Sequence, residues 1–176
     1  MKKLTETDLK EQILKIFSLC RKKANAPFEE SHFMDFLLFP PSKKGQIRNS
    51  FRGANKHGNF MRKIELEFGI CFTLSDYDTT FSLDTFTQKV AERISKHKSN
   101  VFIIKERTNE KNYFIFEIIT ILILCSLYYF LGFHWLPILL TPLFLAVVYW
   151  ISSRRIIDMR HNKKLSKIIF EKYETH

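Results

Sequence analysis

Hydrophobic and polar positions alternate with a helical period through the first hundred residues, and then the alternation stops. Leu9, Ile13, Ile16, Phe17 and Cys20 recur on one side of a helix. Thr5, Glu6, Thr7 and Asp8 supply N-cap residues, and Arg21-Lys22-Lys23 place cations at the negative end, so a helix is expected over 8–23. Asn25-Ala26-Pro27 breaks it. The cluster Phe33, Phe36, Leu37, Leu38 and Phe39 predicts a short helix of core residues, stopped by Pro40-Pro41. Residues 42–58 are polar, basic and Gly-containing and read as a loop. Asn59 then caps a helix over 60–68 with Phe60, Ile64 and Phe68 on one face, and Gly69 ends it. Ile70-Cys71-Phe72 reads as a short apolar tether. Ser82 caps a helix over 83–96, with Leu83, Phe86, Val90, Ala91 and Ile94 inward. Residues 99–112 read as a charged connector, with Val101-Phe102-Ile103-Ile104 as a strand or a helix extension.

From 113 to 151 the pattern is continuously apolar, with Glu117 the only charged residue among 39. A helix needs about 20 apolar residues to cross a bilayer, so the block reads as two spans, 113–131 and 136–151. The break falls at Gly132-Phe133-His134-Trp135, with Pro137 just beyond. Lys105, Arg107 and Lys111 precede the block, and Arg154, Arg155, Arg160, Lys163 and Lys164 follow it, while the turn between the spans has no Lys or Arg. The positive-inside rule then places both termini in the cytoplasm. Lys105, Arg107, Lys111, Arg154, Arg155 and Arg160 are the expected contacts to anionic headgroups. The tail over 152–176 reads as a basic amphipathic helix that suits a membrane interface or a protein surface.

Charge supports this division. The net +10 splits as +7 over 1–112, −1 in the apolar block and +4 after it. Such a chain is drawn to an anionic leaflet. Nucleic acid is not an expected partner, because no finger, RNP-like pattern or basic helix run accompanies the charge. Cys20, Cys71 and Cys125 are isolated, without metal or redox spacing, which fits a reducing cytoplasm. No cleavable signal peptide is expected, since Met1-Lys2-Lys3 leads into an amphipathic stretch.

Catalytic chemistry is not legible. The six histidines are scattered without ligand spacing, so no metal site is expected. Asp76 and Asp78 read as turn and cap residues. No phosphate-cradling Gly-rich loop or nucleophile elbow occurs. Lys43, Lys44, Arg48, Arg52 and Lys56 form either a solvated basic loop or a patch for phosphate or lipid headgroups. Glu117 lies about 7–8 Å into the first span at 1.5 Å per residue. It either reaches the interface or pairs with a basic residue such as Arg154 or Arg155, or it contacts an ion or partner inside a helix oligomer.

The run Met61-Arg62-Lys63-Ile64-Glu65-Leu66-Glu67-Phe68-Gly69-Ile70, followed by Asp76-Tyr77-Asp78-Thr79-Thr80-Phe81-Ser82-Leu83, resembles the second half of acyl carrier proteins. Glu65-Leu66-Glu67-Phe68-Gly69-Ile70 is the most specific part, and the match covers residues 5–96. The chain also resembles an uncharacterised enterobacterial family of acyl-carrier-like proteins. Carrier proteins take phosphopantetheine on a Ser opening helix two. The family's spacing lands here on Ala54, which has no hydroxyl, and Ser50 is the nearest substitute. Lys56, Arg62 and Lys63 also replace the acidic surface that such carriers present to basic enzymes. The resemblance implies a fold without the prosthetic arm.

The expected fold class is all-α: a small acyl-carrier-like helical bundle over 1–98, the connector 99–112, a transmembrane helical hairpin over 113–151 and the basic tail 152–176. The expected function is a membrane-anchored, acyl-carrier-like binding or regulatory protein at the cytoplasmic face of a bacterial inner membrane. It is not expected to be an enzyme or to hold a cofactor, and its partners are the bilayer, anionic headgroups and a membrane or lipid-synthesis enzyme. Two alternatives stand beside this: a functional acyl carrier modified with phosphopantetheine at Ser50, and a small membrane immunity or exclusion protein.

Overall fold

The computed structural model describes residues 5–21, 27–38, 46–77, 82–109, 114–132 and 134–174. The protein is all-α, and among the described residues there is no strand. In chain order the helices are α1 (Glu6–Cys20), a 3₁₀ turn (Glu30–His32), α2 (Asp35–Leu38), α3 (Gln46–Phe68), α4 (Leu74–Tyr77), α5 (Leu83–Ser95), α6 (His97–Asn109), α7 (Ile115–Leu131) and α8 (Trp135–Glu174). They fall into two compact units. One comprises Met1–Lys105 with Lys164–His176; the other is Glu106–Lys163.

The larger unit is built on the faces that the sequence pattern marks. Thr5 and Asp8 close a capping box, with the Asp8 amide donating to Thr5 Oγ1 at 3.2 Å and the Thr5 amide to Asp8 Oδ2 at 3.2 Å. Ser82 caps α5 by accepting from the Thr85 amide at 3.2 Å. Helix α1 packs against α3 and α5, and α2 against α3. Their buried faces meet as Leu9, Ile13, Ile16 and Phe17; Phe33, Met34 and Leu37; Phe60, Met61, Ile64 and Phe68; and Leu83, Phe86 and Val90. Aromatic rings dominate the centre. Phe86 lies 5.6 Å from Phe33, 5.5 Å from Phe60 and 5.7 Å from Phe72, centroid to centroid, separations at which ring pairs attract beyond simple burial.

The loop expected over 42–58 is corrected by α3, which starts at Gln46 and runs 23 residues without interruption. Gly53 and Gly58 each disfavour a helix by about 1 kcal/mol relative to Ala. Packing overrides this, because buried Gly53 continues the inward stripe of Phe60, Ile64 and Phe68. Residues 42–45 lie outside the described set. The connector expected from 99 is likewise largely helical, as α6. The tail does not start a new helix after the apolar block: α8 runs unbroken for 40 residues. Its last turns belong to the larger unit, where Leu165 and Ile169 are buried with Cys71 and Ile104.

The apolar tether Ile70-Cys71-Phe72 is a buried connection. A buried irregular segment must have its backbone groups satisfied. Four elements supply the partners. Gly69, at φ +62°, ends α3 in the left-handed region, and the Ile70 amide donates back to the Glu65 carbonyl at 3.2 Å. The Phe72 amide donates to Glu65 Oε1 at 3.0 Å, and the Cys71 amide to Asn100 Oδ1 at 3.0 Å. The Thr73 amide donates to Asp76 Oδ2 at 2.7 Å, and Lys172 Nζ donates to the Phe68 carbonyl at 2.7 Å.

The smaller unit inverts this pattern of burial. Along α7 and the first half of α8 the large apolar side chains face outward, among them Ile118, Leu122, Phe130, Leu139, Leu143, Leu145 and Trp150. Among the described helices one, Trp135–Lys172, is long and apolar enough to cross a membrane; α7 is apolar but has 17 residues.

Candidate functional site

Glu117 lies in the first turn of α7, where the exposed amides of a helix start favour a negative charge. Its carboxylate is largely enclosed by α8. Arg155 Nη1 donates to Glu117 Oε1 at 3.1 Å and to Oε2 at 3.2 Å, and Ser152 Oγ donates to Oε1 at 3.0 Å. Ser152 and Arg155 are three residues apart and so share one side of their helix. Thr120, one turn along α7, is buried and donates its hydroxyl to the Phe116 carbonyl at 2.8 Å.

A second polar contact joins the same two helices further along. Tyr128 OH and Thr141 Oγ1 are 3.0 Å apart, and Thr141 also donates to the Pro137 carbonyl at 2.8 Å. Tyr128 lies as far beyond Glu117 in α7 as Thr141 lies before Ser152 in α8. The two contacts therefore share one register, as an antiparallel pair of helices requires. The interval of eleven residues is close to three helical turns, which returns both residues to the facing side.

This arrangement neutralises a charge and does not present it. The Glu117 side chain retains 12% of its exposure and that of Arg155 31%. With three hydrogen bonds donated to it, two from Arg155 and one from the Ser152 hydroxyl, the carboxylate is committed as an acceptor. Among the described residues no group of three His, Cys, Asp or Glu side chains could hold a metal ion.

The other predicted residues do not converge on the carboxylate. Arg154 and Arg160 are exposed on α8. Lys105 is exposed on α6, with Nζ 5.9 Å from the Phe170 ring centroid, and Arg107 is half-buried near the end of α6. Lys111 and Asp78 lie outside the described residues. Ser50 is within α3, and its side chain lies outside the described set. Ala54, where carrier spacing would place the modified serine, is exposed in the same helix. Asp76 accepts from Arg93 and from Thr73 Oγ1, the latter at 2.9 Å, in a buried cluster that holds the connection after α3. Ser152, Thr120, Tyr128 and Thr141 do not stand out in the sequence. Their only signal is polarity at helical spacing inside or beside an apolar run.

Neither a family model, nor a curated protein, nor a solved structure matches this chain.

Proposed function

We propose that α7 and the first half of α8 form a transmembrane hairpin that anchors the larger helical unit to the cytoplasmic face of a bacterial inner membrane, where it acts by binding and not by catalysis. The observation that carries this reading is the outward apolar surface of α7 and α8 together with the neutralised carboxylate between them. Water would oppose so much exposed apolar area, whereas lipid covers it without loss. A lone carboxylate near the hydrocarbon is unfavourable, and Arg155 and Ser152 relieve that.

Span length is compatible with the reading. Helix α7 has 17 residues, or roughly 25 Å at 1.5 Å per residue. That is a few Å short of a typical core, a mismatch that local thinning and interfacial aromatic residues absorb. Lys105, Arg107 and Lys111 before the pair, and Arg154, Arg155 and Arg160 after it, favour cytoplasmic termini. Within this reading the larger unit keeps the acyl-carrier-like role suggested by residues 61–83, without a prosthetic arm. Its partner would be a membrane or lipid-synthesis enzyme, or an acyl lipid.

Topology labelling in intact cells tests the anchor. In a His134→Cys variant the new thiol should react with a membrane-impermeant maleimide from outside, and Cys20 should react only after lysis. Labelling of Cys20 in intact cells, or protection of position 134, would contradict the proposed orientation. The carrier alternative is checked separately by intact mass after co-expression with a phosphopantetheinyl transferase, where no mass gain at Ser50 is expected.

A further inference from the structure

Two large apolar side chains in the larger unit stand in solvent among the described residues: Leu19 and Phe102, the latter 69% exposed. Phe102 lies on α6, whose inner side is fixed by Asn100 and Ile104, both fully buried. Its outer side carries Lys98, Phe102 and Lys105 at i, i+4 and i+7, all three exposed, and the Lys105 ammonium also lies over the Phe170 ring at 5.9 Å, a contact it would share with a headgroup. An exposed phenylalanine between two lysines fits the interfacial layer of an anionic bilayer. The ring suits the acyl boundary and the ammonium groups suit phosphates, with the lysine stems lying along apolar surface. Glu106, one turn after Phe102, is exposed and opposes this attraction. Two cations against one acid leave the face net positive, which favours an anionic surface.

The chain itself favours lipid as the occupant. Only residues 110–114 separate α6 from α7, a reach of roughly 20 Å when fully extended. A face tethered this closely to an apolar span meets the bilayer at a high effective concentration.

We infer that the outer side of α6 is a lipid-docking face, with Phe102 entering the interface of an anionic leaflet between the headgroup contacts of Lys98 and Lys105. This rests on the proposed anchor and adds to it a second, electrostatically controlled attachment. Docking through α6 sets how the larger unit is presented at the membrane, and it weakens as salt rises or anionic lipid is depleted.

The test uses the full chain with Phe102→Trp in a Trp135→Phe, Trp150→Phe background, reconstituted into phosphatidylcholine vesicles with or without phosphatidylglycerol. The introduced indole is then the sole tryptophan of the chain. Co-flotation with vesicles reports the anchor; quenching of the indole by brominated lipid reports the docking. The expected result is flotation in both lipids, with lipid quenching and a blue-shifted indole emission only where phosphatidylglycerol is present. High salt or Lys98→Glu with Lys105→Glu should reverse the quenching and leave flotation unchanged. A chain that floats while the indole remains open to aqueous iodide in both lipids overturns the docking alone. Protection of the indole that follows protein concentration and not lipid charge also overturns it, in favour of a protein contact. A chain that does not float overturns the anchor and the docking together.

Discussion

Lys172, two residues from the end of α8, donates from Nζ to the carbonyl oxygen of Phe68 at 2.7 Å, across 104 positions of sequence. The contact sets a cation against the C-terminal end of α3, where unsatisfied carbonyls carry partial negative charge. It also passes over Gly69. A Cβ there would come 3.0 Å from Lys172 Nζ and 3.2 Å from Ile168 Cγ2. The left-handed backbone thus demands glycine, and a Cβ would in addition push the side-chain ends of Lys172 and Ile168 aside. Gly69→Ala should destabilise the larger unit by about 1–2 kcal/mol from backbone strain alone, with more from the displacement of Ile168. Lys172→Met, which keeps the stem and removes the donor, should cost about 1 kcal/mol. Thermal unfolding of the full chain in detergent micelles reads both.

Asp76 and Arg93 form the most enclosed ion pair of the larger unit among the described residues, with side chains 4% and 11% exposed. Removing one partner of such a pair leaves a buried charge, a loss of about 3–5 kcal/mol. Asp76→Ala should therefore unfold the connection after α3 at far lower denaturant than the parent. The double change Asp76→Leu with Arg93→Met should recover much of the loss. A double variant no better than Asp76→Ala would place the loss in the hydrogen bonds from Thr73 to Asp76 and not in the unpaired charge.

Glu117 and Arg155 make the corresponding prediction for α7 and α8. Arg155 is about a third exposed, so solvent weakens the interaction, and Arg155→Ala should lower stability by less than the loss of either Asp76 or Arg93. Glu117→Ala with Arg155→Ala should be less harmful than Arg155→Ala, because no carboxylate is then left without its cation, with only the Ser152 hydroxyl to face it. The ordering of the two variants in detergent-resistance assays is the decisive observation.

Acid sensitivity has a definite sign at Glu92. Its carboxylate accepts from Lys89 and Lys96 at 2.8 and 2.6 Å, which hold its pKa down to about 2 from an ordinary 4.5. A depressed carboxylate stabilises the fold above its unfolded value and loses that contribution as pH falls toward the folded one. The gain should be complete above pH 4.5 and lost toward pH 2. Glu92→Gln should flatten that part of the stability profile by lowering the plateau above pH 4.5 toward the acid value, and only modestly, since the group is open to solvent. A carboxyl NMR titration should place its midpoint well below that of an ordinary glutamate.

Much of this architecture is readable from the residues alone. Helices α1 and α5 announce themselves by caps and by one-sided apolar spacing, and their inward residues are the expected ones. Ala91 is the exception: grouped with the apolar face, it is exposed. The first half of α3 is not readable, because polar residues and two glycines carry no helical signal when packing elsewhere in the helix decides. Helix α6 is ambiguous, since Val101 to Ile104 are consecutive and have no period. Only tertiary contact turns Ile104 inward and leaves Phe102 out. The end of α8 stays open for a related reason. An amphipathic face looks the same to lipid and to protein, and Leu165 and Ile169 pack on protein. At the Glu117 site, charge and depth call for a basic partner and offer Arg154 and Arg155 equally. Helix rotation selects Arg155, and nothing in the sequence distinguishes Ser152 as a donor.

Washing bacterial membranes at alkaline pH and sedimenting them would test most directly whether lipid covers α7 and α8. The native chain should remain wholly in the pellet and be released only by detergent. A folded, monodisperse chain recovered from the detergent-free supernatant would contradict the account, because its outward leucines, isoleucines and tryptophans would then be tolerated by water.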